Sequence, residues 1–121
     1  MKLLLCIIGE TYRCGGQTSR LRNGNDVNTI QNQKNAIKSH INFINYQKQK
    51  YNVECDVILN LYSLTQEKDD KIIEYYNNCN LKKVNFHKNL LGEPNLIKNS
   101  IQLFKDMDYI NYDYFLMTRV D

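Results

Sequence analysis

The chain has 121 residues, room for one domain with a real core but small for an α/β enzyme. Its 42% hydrophobic and 24% charged residues are ordinary for a globular protein. A formal net charge of +3 is too mild to point to a nucleic-acid partner by itself, and no run approaches the ~20 apolar residues of a membrane span.

Residues 3–8 (Leu-Leu-Leu-Cys-Ile-Ile) predict a first strand. As a secretory leader the run is too short, and Gly9-Glu10 follows it in place of a small-residue cleavage site. From Gly9 to Asn25 the sequence is polar and irregular, and loops longer than roughly 12–15 residues in compact domains are functional or disordered. Ile30, Ile37, Ile41 and Ile44, with Phe43 alongside, predict a long helix over about 28–50. Residues 57–61 give a second strand. Ser63 followed by Gln66 reads as a capping box opening a second helix that carries Ile72, Ile73 and Tyr76. A short third strand over 81–86 bears Lys82-Lys83 on a solvated face. Pro94 suits the first turn of a third helix, whose face is marked by Leu96, Ser100, Leu103 and Met107. The last apolar run, 114–118, predicts a fourth strand buried on both faces, as in the centre of a parallel sheet.

Strand and helix alternate throughout, without repeat or linker. This specifies a single α/β domain over 1–121: a Rossmann-like parallel sheet with helices on both faces, strand order 3-2-1-4. In that order the winding reverses between the first and fourth strands and opens a crevice at their carboxyl ends. Two unusual segments run into it, the loop from Gly9 and the terminal Arg119-Val120-Asp121. Because the chain stops where its charged strand tip begins, a truncated domain is expected.

Arg13, Arg20 and Arg22 lie in the loop, with Gly15-Gly16 between the first two. Arginine offers planar, bidentate donors for phosphate oxygens, and glycine lets the backbone approach a ligand. A diphosphate is the natural candidate; a solvated basic loop is the alternative. No G-x-x-x-x-G-K-[ST] and no G-x-G-x-x-G follows the first strand, which argues against P-loop and dinucleotide sites. Glu10 alone is a poor match to the paired acids of a receiver domain. His40 and His87 have no companions at metal or triad spacing and read as surface or packing residues. Cys6 and Cys55 fall in strands as buried thiols, Cys14 lies in the loop, and no C-x-x-C pair marks zinc.

Two features together carry a family resemblance. One is the alternation closing on an apolar strand with an acid at its tip. The other is the pattern Gly9-Glu10-x-x-Arg13-x-Gly15-Gly16-Gln17-x-x-Arg20. The chain resembles the nucleotide-sugar-binding half of GT-A-type glycosyltransferases, and glycosyltransferase-like proteins of large DNA viruses and algae. The resemblance implies the donor-binding half of a metal-assisted transferase that takes a nucleoside-diphosphate sugar in the cytoplasm. Gly9, Glu10, Thr11, Arg13 and Arg20 would surround the nucleotide or its phosphates. Arg119 stands where the family's D-x-D motif has its first acid and would contact phosphate or orient Asp121. Asp121 would face the metal, Mn²⁺ or Mg²⁺, or the donor ribose. A non-catalytic nucleotide- or phosphate-binding module and a structural interaction domain are the competing functions.

Overall fold

The computed structural model describes residues 1–15 and 21–121. Its four strands are β1 (Lys2–Glu10), β2 (Glu54–Tyr62), β3 (Asn80–His87) and β4 (Tyr114–Arg119). They form one all-parallel sheet in the order β3-β2-β1-β4. Helices α1 (Val27–Tyr51), α2 (Gln66–Tyr75) and α3 (Glu93–Asp106) make the crossovers, and a 3₁₀ turn (Tyr109–Asn111) leads into β4. Topology and strand order are those that the alternation of periods predicts.

Side chains of β1 and β2 alternate between two cores, as the pleat requires. Leu5, Ile7, Val57, Leu59 and Leu61 pack with Ile37 of α1 and with Ile72 and Tyr76 of α2's end. On the other face Leu4, Cys6, Ile8, Ile58 and Tyr62 pack with Leu96 of α3. Both central strands are therefore mostly apolar, with apolar side chains on each face. Each large aliphatic side chain so buried contributes roughly 1.5–3 kcal/mol.

Three local expectations are corrected. β4 is an edge strand, paired only with β1, and its run is not buried on both faces. Phe115 and Met117 join the α3 core, whereas Tyr114 and Leu116 are 54% and 44% exposed. They line an open apolar groove with Leu3, Phe43, Tyr51 and Val53. An apolar run alone does not report how many neighbours a strand has. The capping box also fails. Ser63 is still held by β3 through its N–H to the His87 carbonyl, so Thr65 caps α2 instead and accepts from the Lys68 N–H. The Ser63 hydroxyl donates to Asp69, whose other oxygen accepts from the Leu64 N–H. Cys6 is buried as expected, but Cys55 is only half-buried.

Below the sheet, Asp56 is 2% exposed and fully engaged. It accepts from Asn80 and from the Tyr112 hydroxyl and pairs with Lys2 at 3.4 Å. Burial and this carboxylate both push the Tyr112 phenol's pKa up, so it stays a donor. The cluster ties the segment before β4 to the centre of the sheet.

Candidate functional site

β1 and β4 run side by side as far as Ile8 opposite Arg119, and the Val120 N–H continues the ladder to the Ile8 carbonyl at 2.8 Å. Beyond that point the two chains part. The cleft between them, about 790 Å³, is walled by the loop after β1, the first turns of α1 and α3, and the tip of β4. It lies where the sheet's winding direction reverses, the position at which open α/β sheets hold ligands.

Gly9 floors the cleft with φ +117°, a backbone state that suits glycine. A Cβ there would meet Arg119 Nη2, Asp121 Oδ1 and Val120 Cγ1, each at 3.7 Å. Tyr12 follows in the left-handed region at φ 55°, unusual for an aromatic residue. Its ring is buried, which pushes its phenol up to about 12. The surroundings hold this strain in place. The Tyr12 N–H donates to Gln33 Oε1 at 2.8 Å, and its carbonyl accepts from the Asn23 N–H at 2.9 Å.

The described parts of the loop are less irregular than their composition suggests. Arg13 and Arg22 form an antiparallel bridge and the Cys14 N–H donates to the Leu21 carbonyl, so the two limbs pair as a stem. Arg22 does not face a ligand. Its guanidinium turns inward, donating to the Thr11 carbonyl and hydroxyl and to the Tyr62 and Ser63 carbonyls at 2.8–3.0 Å. Burial lowers its pKa, an effect opposed by Glu10 and Asp69. Arg22 thus fastens the loop to the end of β2.

Gln33 performs a similar service for β4. It is 4% exposed, and its Nε2 donates to the Val120 carbonyl at 2.8 Å while its Oε1 holds Tyr12. One side-chain amide therefore fixes both lips of the cleft.

The charged side chains of the cleft form an alternating row. Glu10 Oε2 lies 3.9 Å from Arg13 Nε, and Arg13 Nη1 lies 3.0 Å from Asp121 Oδ2. Arg119 Nε lies 3.1 Å from Asp121 Oδ1, and Arg119 Nη1 lies 3.2 Å from Glu93 Oε1. Among the described residues two guanidinium groups thus alternate with three carboxylates.

Of the residues singled out from sequence, Gly9, Glu10, Arg13, Gly15, Arg119 and Asp121 all line the cleft. Thr11 is fully buried, with its hydroxyl accepting from Arg22. Arg20 lies outside the described residues. Sequence reasoning missed Tyr12, Asn32, Gln33, Tyr62, Gly92 and Glu93, which also line the cleft. Gln33 left a signal: it interrupts the isoleucine stripe of α1 midway between Ile30 and Ile37. The histidines pack, as expected. His87 Nε2 meets Asn60 Oδ1 at 2.7 Å, and His40 Nδ1 meets the Tyr76 hydroxyl at 2.8 Å.

Among the described residues no group of three or more His, Cys, Asp or Glu is placed to hold a metal ion, and no helix is long and apolar enough to cross a membrane. Comparison with family models, with curated proteins and with solved structures finds no match to this chain.

Proposed function

We propose that this chain is the donor-binding half of a metal-assisted glycosyltransferase, and that its cleft takes the diphosphate of a nucleoside-diphosphate sugar. The observation that carries the reading is the meeting of Gly9, Arg13, Arg119 and Asp121 at the switch point of a parallel sheet. The guanidinium groups suit phosphate oxygens, and the glycine floor permits close approach.

Mn²⁺ or Mg²⁺ belongs to the same proposal. One carboxylate together with ligand phosphate oxygens is a donor set that Mg²⁺ accepts, so Asp121 would hold the ion jointly with the diphosphate. Such a cation neutralises charge on a departing diphosphate. The cytoplasm, where free thiols stay reduced, completes the reading.

A second reading has its own support. Arg119 stands where a second carboxylate would favour a metal, and both Asp121 oxygens are held by arginines. This arrangement suits a nucleotide- or phosphate-binding module without transfer.

Calorimetry with uridine and guanosine diphosphate separates these readings. Transferase ancestry predicts tighter binding with Mn²⁺ or Mg²⁺ than in chelator, and Arg13→Ala should cost roughly 1.5–3 kcal/mol of binding. Equal affinity with and without metal removes the cation and favours the module. Unchanged affinity in Arg13→Ala removes that residue from the site.

A further inference from the structure

Asp121 sits where an anionic ligand of this cleft needs to be. Its two oxygens accept from Arg13 Nη1 at 3.0 Å and from Arg119 Nε at 3.1 Å. A carboxylate gripped by two guanidinium groups uses the charge-assisted geometry that a phosphate uses. Arg119 and Asp121 are near neighbours at the end of β4, whereas Arg13 reaches Asp121 from the loop after β1, a tertiary contact that closes the cradle. The other carboxylates in the row, Glu10 and Glu93, hold the far sides of the two arginines, on Arg13 Nε and Arg119 Nη1.

The Asp121 carboxylate can leave without disturbing the strand tip. The Val120 backbone is fixed independently, by the Ile8 carbonyl and by Gln33. The Asp121 side chain is 24% exposed, and both contacts on it are ion pairs that another anion can replace. Arg13 is the more enclosed of the two cations, at 19% against 44% for Arg119.

We infer that Asp121 is an internal stand-in for the ligand's anionic group, which displaces the carboxylate from between Arg13 and Arg119 on binding. This rests on the proposed reading of the cleft as a diphosphate site and deepens it. Without metal, Asp121 competes with the ligand. Removing its charge therefore strengthens diphosphate binding, whereas loss of a residue that only recruits metal changes nothing in chelator.

The test is calorimetry with inorganic diphosphate in chelator, on the unaltered chain, Asp121→Asn, Asp121→Ala and Arg13→Ala. Both Asp121 variants should bind roughly three- to tenfold tighter, the scale of one or two partly exposed ion pairs, and Arg13→Ala should bind weaker. Thermal melts of all four proteins confirm that each is folded. Equal or weaker binding by the Asp121 variants, with Arg13→Ala still impaired, overturns the competition and leaves the diphosphate site standing. Affinity unchanged in Arg13→Ala overturns the two-arginine cradle. No binding by any of the four overturns this inference and the diphosphate reading together.

Discussion

Single residues hold this site by satisfying backbone groups that the fold strands. Gln33 is the plainest case, since the Tyr12 N–H and the Val120 carbonyl both depend on its buried amide. Gln33→Leu keeps the volume but removes both partners. It should cost roughly 1–3 kcal/mol for each group left unsatisfied, read from urea denaturation. Stability unchanged by the substitution would show that the amide is replaceable. His40 gives the chain a pH dependence. Burial depresses its pKa, and its Nδ1 lies against the hydroxyl of the fully buried Tyr76. Burial raises the Tyr76 phenol's pKa, so this hydroxyl stays protonated beside the imidazole. A depressed histidine binds fewer protons folded than unfolded, so its contribution is complete above the unfolded value of about 6.5 and is lost as pH falls through the folded value. Thermal melts from neutral to mildly acidic pH should show this loss, and His40→Gln should reduce it. Identical slopes for the two proteins would assign the dependence elsewhere. In the sequence His40 looks like any polar residue of a helix, because its hydrogen bond depends on a tyrosine brought in from the end of another helix.

Among the elements, those with strong periodicity were legible and those defined by partners were not. The isoleucines of α1 and the unbroken run of β1 reflect burial on a helix face and in a central parallel strand. β4 carries an equally apolar run yet lies at an edge, because its side chains serve the α3 core on one face and an open groove on the other. The loop after β1 reads as irregular because its order comes from a paired stem and from Arg22, not from local propensity. What anchors the approach to β4 is the Tyr112 hydroxyl on Asp56. Tyr112→Phe removes one donor from a buried carboxylate that keeps Asn80 and Lys2. The loss should be about 1–3 kcal/mol. Hydrogen exchange should localise it, with faster exchange in residues 114–119 and little change in β2. Uniform acceleration across the sheet would mean that β4 does not open separately.

For the molecule as a whole, the alternation of strand and helix was enough to specify four parallel strands in the order 3-2-1-4, and the crevice between β1 and β4 follows from that order. Six of the residues singled out from sequence converge there because they sit at strand ends, or in the loop just beyond one, that the topology makes neighbours. The opposite walls were invisible for the same reason. Asn32, Tyr62 and Glu93 reach the cleft only through the packing of α1, β2 and α3 around the sheet. The central claim is that this crevice binds the diphosphate of a nucleotide, and backbone amide chemical shifts test it most directly. Titration with uridine or guanosine diphosphate and Mg²⁺ should move the amides of Gly9, Arg13, Asn32, Gly92 and Arg119, and leave the distal end of α1 and the groove around Leu116 still. Shifts confined to that groove, or none at any nucleotide concentration, would contradict it.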